Sequence, residues 1–206
     1  MKRMISLMLS LCIAFCLLPV SVFAENTNVN ADTLSLPQLS TTGDTISGTC
    51  GASLTWALDS AIGQLTISGT GDMTSAPWNK ELVQSIVFSV NITSICSNAF
   101  SDCSNLTAVS IPNSVTSIGE DAFFRSGLNS VVVPDSVTFL GESAFDYCTS
   151  LTKAVIGSGV TTIIDNTFEN CKALTEVTIP KSVTAIGTSA FAGCTKLDTL
   201  NFEAGG

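Results

Sequence analysis

Residues 174–194 read LTEVTIPKSVTAIGTSAFAGC, and this stretch decides the fold. Its defining positions are Leu174, Val177, Ile179, Pro180, Ser182, Val183, Ile186, Gly187, Ala190, Phe191 and Cys194. The phenylalanine recurs at Phe100, Phe123, Phe145, Phe168 and Phe191, in steps of 23, 22, 23 and 23 residues. Self-similarity at such a period denotes a solenoid. Solenoid units touch only their neighbours, so their usual product is one continuous surface and not a catalytic pocket.

The other repeats align on the same positions. The first runs Val83, Ile86, Phe88, Ile92, Ile95, Ala99, Phe100, Cys103, and the second Leu106, Val109, Ile111, Pro112, Val115, Ile118, Gly119, Ala122, Phe123. The third starts at Leu128 and is one residue short in the turn before it, where Ser126-Gly127 replaces the usual cysteine and two further residues. The fourth starts at Leu151 and carries Gly157 in the proline position and Ile164 in the glycine position. After the fifth, Leu197, Leu200 and Phe202 begin a sixth.

Within each unit, Val-x-Ile predicts a short strand with two inward side chains, ended where proline removes a ladder donor. Val-Thr-x-Ile-Gly predicts a second extended stretch, and Ala-Phe with the cysteine supplies the opposite wall. At about 4.8 Å per rung, the phenylalanines form one column and the aliphatic residues another. The expected fold class is a β-rich solenoid of repeats of about 23 residues each, with parallel in-register strands.

Upstream, residues 1–24 carry Lys2 and Arg3, an apolar run broken at Pro19, and Val22-Phe23-Ala24 ahead of a cleavage site. These are the marks of a secretory signal peptide cut after Ala24, and the run is too short for a membrane helix. Residues 25–45 are rich in Asn, Thr and Ser without periodicity and are expected to form a linker. In residues 46–82, Leu54, Trp56 and Leu58 alternate with polar or small residues and Leu65 and Ile67 resume the pattern after Gly63, which predicts a β-hairpin cap over the first rung. The solenoid is assigned residues 83–206.

At these residues the chain resembles the BspA-like leucine-rich repeats of bacterial secreted and surface proteins, with motif L-x-x-V-x-I-P-x-S-V-T-x-I-G-x-x-A-F-x-x-C. The segments Ser47-Gly48-Thr49-Cys50-Gly51 and Leu65-Thr66-Ile67-Ser68-Gly69-Thr70-Gly71 look like those that precede such repeats in clostridial-type members. The resemblance implies a curved solenoid and surface binding or adhesion, and it brings no catalytic set. Departures at Cys96, Ser126, Gly157 and Ile164 are expected to concern turns alone.

Composition narrows the function. The chain has no histidine, which removes Ser-His and Cys-His catalysis and histidine metal sites. Its net charge of −9 becomes −11 once Lys2 and Arg3 leave, so nucleic acid and anionic membranes are poor partners. Glu120, Asp121, Glu142, Asp165 and Glu169 fall in turns where oxygen ligation of calcium is conceivable, but they are scattered and no Gly-Asp calcium repeat is present. No metal, cofactor or enzymatic activity is expected.

Cys148, Cys171 and Cys194 repeat at one position, and parallel stacking at about 4.8 Å opposes a bond between them. Buried thiols are expected there, while a Cys50–Cys96 bridge between cap and first repeat stays open. Outward strand positions include Ala108 and Ser110, Ser130 and Val132, Lys153 and Val155, Glu176 and Thr178, with Lys153 and Glu176 as lateral neighbours. The candidate ligand surface is therefore Ser110, Ser130, Lys153, Val155, Glu176 and Thr178, for an extracellular protein or glycan. The acidic turns are expected to provide mainly solubility and steering. A spacer with no ligand of its own is the alternative, and self-association is expected through the open sixth rung.

Overall fold

The structure is a computed structural model and describes residues 44–88 and 91–203. The signal peptide and nearly all of the linker read from the sequence lie outside the described residues.

β1 (Thr45–Gly51), β2 (Leu54–Asp59) and β3 (Gln64–Gly69) form an antiparallel meander. Alternation within them buries Cys50, Leu54, Trp56, Leu58, Leu65 and Ile67 on one side. The second strand of the predicted hairpin does more than close the hairpin. β3 also pairs in parallel with β5 (Ser85–Phe88), setting Leu65 beside Ile86 and Ile67 beside Phe88.

Beyond it the chain coils with three walls per turn. The first wall holds β8 (Ser130–Val132), β10 (Lys153–Val155), β12 (Glu176–Ile179) and β14 (Thr199–Phe202), all parallel. Val131, Ala154, Val177 and Leu200 share one register row. The second wall holds β4 (Gly71–Asp72), β6 (Ile92–Ile95), β7 (Ser117–Ile118) and β9 (Phe139–Leu140), followed by the separate pair β11 (Thr162–Ile163) and β13 (Ala185–Ile186). Ile95, Ile118, Leu140 and Ile163 are all buried there. Between the walls, each proline position begins a turn: the carbonyls of Pro112, Pro134, Gly157 and Pro180 accept the N–H three residues on at 3.0–3.2 Å. Gly157 fills this role without the ring.

The third wall contains no strand, yet its backbone is laddered from rung to rung. The N–H groups of Phe100, Phe123, Phe145 and Phe168 donate to the carbonyls of Ala122, Ala144, Thr167 and Ala190 at 2.7–2.9 Å. Residues two positions either side make the same kind of bond, as with Asn98 to Glu120 and Asp102 to Phe124. Inside this wall the rings stack: Phe100 on Phe123 at 5.2 Å, Phe123 on Phe145 at 5.3 Å, Phe145 on Phe168 at 5.3 Å and Phe168 on Phe191 at 5.6 Å. Each ring faces its neighbours offset or parallel across a dry core.

Two departures from the repeat reach beyond the turns, contrary to expectation. Residues 104–112 form no strand, so the first wall is interrupted between β5 and β8. The shortened turn at Ser126-Gly127 follows this segment: Gly127 donates to Cys103 and Asn129 to Thr107, but no strand pairing continues from there. In the second wall the gap between β9 and β11 falls where Ile164 replaces glycine. That glycine is a matter of close approach, since a Cβ at Gly119, Gly141 or Gly187 would lie 2.5–2.6 Å from a backbone nitrogen of the preceding rung.

Candidate binding surfaces

On the first wall, inward residues alternate with outward ones, and the outward ones stack in two columns. Ser130, Lys153, Glu176 and Thr199 form one row of register partners, and Val132, Val155, Thr178 and Asn201 the other. The structure therefore brings together Ser130, Lys153, Val155, Glu176 and Thr178. Ser110 is not among them on a strand: it is exposed in the strandless segment.

Lys153 and Glu176 are lateral neighbours, and Lys153 Nζ lies 3.2 Å from Glu176 Oε2. Asn201 Nδ2 donates to Glu176 Oε1 at 3.0 Å, extending the polar chain across three rungs. Val132 is the most exposed aliphatic residue of this face, at 60%. The surface thus combines one neutralised ion pair with small β-formers, and a partner can approach the backbone closely.

The rims of both strand walls carry threonine ladders that the motif hinted at but did not explain. Thr116 and Thr138 donate their hydroxyls to the carbonyls of Thr93 and Thr116, and Thr184 to Thr161. Thr152 and Thr175 do the same to Asn129 and Thr152 at 2.9 and 3.0 Å. Each side chain reinforces a backbone bond to the same acceptor. Threonine at these positions is thereby read as structure and not as ligand chemistry.

The outer side of the third wall has its own character. In every repeat two residues there adopt left-handed backbone: Asn98 and Asp102, Asp121 and Arg125, Ser143 and Tyr147, Asn166 and Asn170, Ser189 and Gly193. Arg125 Cζ lies 4.8 Å from the Phe124 ring centroid and 5.4 Å from that of Tyr147, and the two rings meet edge to face at 5.8 Å. Sequence reading placed no interaction at these three residues.

Among the acids, Glu120 and Glu142 are exposed as expected, but Asp121 is half-buried, and burial followed by the charge of Glu142 raises its pKa. Asp146 is nearly fully buried, its Oδ1 has no hydrogen-bond partner, and desolvation raises its pKa. Among the described residues no group of three or more Cys, Asp or Glu is placed to hold a metal ion.

The repeat cysteines are thiols that fill a slot beside the phenylalanine column. Cys148, Cys171 and Cys194 donate to the carbonyls of Phe123, Phe145 and Phe168 at 3.0–3.1 Å. Ser126, which replaces cysteine in the second repeat, sits 3.2 Å from Cys148 Sγ and keeps the column polar at that rung.

Three solved structures show what the chain is similar to. The pneumococcal vaccine antigen PcpA shares 19% identity over 79% of this chain and 51% of its own, with a TM-score of 0.55. A leucine-rich repeat protein from Eubacterium ventriosum shares 23% over 79% of this chain and 73% of its own, TM-score 0.39. Another from Bacteroides capillosus shares 25% over 78% and 99%, TM-score 0.41. The chain spans only about half the length of the pneumococcal antigen. No curated protein matches it. The family described as BspA type Leucine rich repeat region matches residues 75–198 in six copies, one more than the five full repeats read from the sequence. With that match and the stacked rungs beneath it, the chain belongs to the BspA-type leucine-rich repeat family.

Proposed function

We propose that the chain is a secreted or cell-surface recognition module, non-enzymatic, that holds an extracellular protein or glycan on its repeat surface. The organisation that goes with it is a signal peptide over 1–24, a linker over 25–45, a cap over 46–82 and a solenoid over 83–206. The observation that carries this proposal is the first wall from β8 to β14, where two rows of outward side chains lie in unbroken register across four strands over a buried core. A pre-ordered face of this kind loses little conformational entropy when a partner docks.

Pull-downs from extracellular matrix and from cell-wall glycans test it. The Lys153→Ala/Glu176→Ala double variant should lose affinity for the captured partner with its fold intact. Unchanged affinity in that variant moves the site off the first wall, and no captured partner in either extract favours a spacer. Among the described residues no helix is long and apolar enough to cross a membrane.

Self-association belongs to the same proposal. On β14, Leu200 is 38% exposed and Phe202 64%, and the strand's outer edge faces away from β12. An apolar strand edge of this kind templates pairing with another chain. Light scattering across a concentration series, with Phe202→Ser as the control that lowers association, measures it.

A further inference from the structure

We propose that the outer side of the third wall at Asp102, Phe124, Arg125 and Tyr147 binds a neutral oligosaccharide. This site is separate from the first wall and does not depend on that wall having a ligand.

The backbone supplies the first reason. Arg125 and Tyr147 sit at φ 54° and 56°, and the equivalent positions in other repeats hold Asp102, Asn170 and Gly193, the residue types that tolerate a left-handed conformation. A large side chain at such a position is held there against local preference, and such outliers concentrate at functional sites. Tyr147 is the chain's single tyrosine, and Arg125 is the single arginine after residue 3.

The second reason is how these side chains are presented. The in-register ladder of the third wall places Asp102, Arg125 and Tyr147 on successive rungs. Arg125 lies against both aromatic rings, and its guanidinium is 4.0 Å from Asp102, with the two side chains 58% and 64% exposed. Tyr147 is 39% exposed. Aromatic surface, a fork of N–H donors and a carboxylate acceptor therefore stand side by side, which is the mixture a polyhydroxylated ring needs: apolar C–H faces to cover and hydroxyls that both donate and accept.

Charge and size choose the occupant. Asp121, Asp146 and Glu169 interact electrostatically around this patch in a chain of net charge −9, so an anionic ligand is repelled despite Arg125. Three rungs span roughly 10 Å, so a patch of that height and similar width covers on the order of 100 Å², far less than the ~800 Å² that each partner gives to a stable protein interface. A short neutral glycan fits both limits.

Saturation-transfer NMR and calorimetry on the full mature chain test this with five neutral hexasaccharides, of α-1,4-glucose, β-1,4-glucose, mannose, galactose and N-acetylglucosamine, and with hexagalacturonate as the anionic probe. At least one neutral probe should bind. Tyr147→Asn and Arg125→Asn, chosen because asparagine suits the backbone and keeps the fold, should each weaken it about tenfold, while Tyr147→Phe retains most of the affinity and Lys181→Ala, at an exposed turn outside both surfaces, retains all of it. Binding of none of the neutral probes, binding of hexagalacturonate alone, equal binding by Tyr147→Asn, or an equal loss in Lys181→Ala overturns the proposal.

Discussion

Trp78 stacks on Phe100 with ring centroids 5.5 Å apart and planes 21° from parallel, so the aromatic column starts one rung before its first phenylalanine. Leu65 and Ile67 of β3, Met73 and Trp78 together give each wall at least one buried member ahead of the first repeat read from the sequence. Trp56 then closes the end of the column edge to face at 6.1 Å. Antiparallel β1 and β2 lie beyond, so the parallel stack ends on an antiparallel pair that covers the edge of β3.

Trp78→Ala should therefore destabilise the domain by about 3–5 kcal/mol, the usual cost of emptying a buried aromatic site. Trp78→Phe should recover most of that loss, because a ring still covers Phe100. Denaturant melts of both variants decide it. Equal losses would mean that indole-specific packing and not the column holds this end.

In the middle of the stack, Phe145→Ala should also cost about 3–5 kcal/mol and loosen the rungs on both sides, since it removes the ring between Phe123 and Phe168. Glu142→Ala, whose exposed side chain accepts from Asn166 Nδ2 at 3.2 Å and whose backbone bond to Asp121 the substitution keeps, should be nearly silent. Hydrogen exchange at the Phe123 and Phe168 amides locates the loosening.

The core was legible because a period writes each buried position several times over: Leu106, Leu128, Leu151 and Leu174 identify one another, as do the phenylalanines. Trp78 escaped because Pro77-Trp78 does not look like Ala-Phe, and its spacing of 22 residues before Phe100 was the remaining signal. The wall breaks beside Ser126-Gly127 and Ile164 escaped for a different reason. A turn's length and the clearance at a glycine bear on how neighbouring rungs meet, so a change that looks local in sequence can fall beside a broken ladder in space. Outward positions such as Lys153 and Glu176 follow from strand alternation, whereas the Arg125–Tyr147 contact depends on a left-handed turn that alternation does not describe.

Two carboxyl groups should give stability a readable pH dependence, in opposite senses. Burial raises the pKa of Asp146, so the native state holds its proton more tightly than the unfolded chain and stability falls as pH rises from the ordinary value of 3.8 through the raised one. Asp135 is the reverse: the Ser158 N–H, 2.7 Å away, lowers its pKa, so its contribution is present above 3.8 and is lost as pH falls through the lowered value. Melts of Asp146→Asn between pH 4 and 7 should be flatter than wild type and higher at pH 7. A wild-type slope retained in that variant would assign the effect to another group.

The thiols should be slow to react in the folded state. Burial pushes Cys103 and Cys148 up to about 12 and Cys50 to about 11, leaving little thiolate near neutrality. Cys194 differs, being half-buried and lowered by its hydrogen bond with Cys171. Alkylation at pH 8 should modify Cys194 first, and denaturation without reductant should then expose all six thiols of residues 25–206. A mass short by two alkyl groups, mapping to Cys50 and Cys96, would establish the bridge between cap and first rung.

The last prediction separates stability from recognition on the first wall. Lys153 and Glu176 are 50% and 36% exposed, so water screens their attraction and an ion pair of this kind contributes less than about 1 kcal/mol. For a domain of this length 1 kcal/mol corresponds to roughly 2–4 °C. A double-mutant cycle of Lys153→Ala and Glu176→Ala should show coupling within that range at low salt, shrinking toward zero near 1 M, where the screening length is about 3 Å. Asn201 keeps a polar partner for Glu176 in the Lys153→Ala variant, so neither single change strands a buried charge. A melting temperature lowered by 10 °C or more would instead mean that these residues hold the rungs together, and the first wall would then be a structural seam and not a docking face.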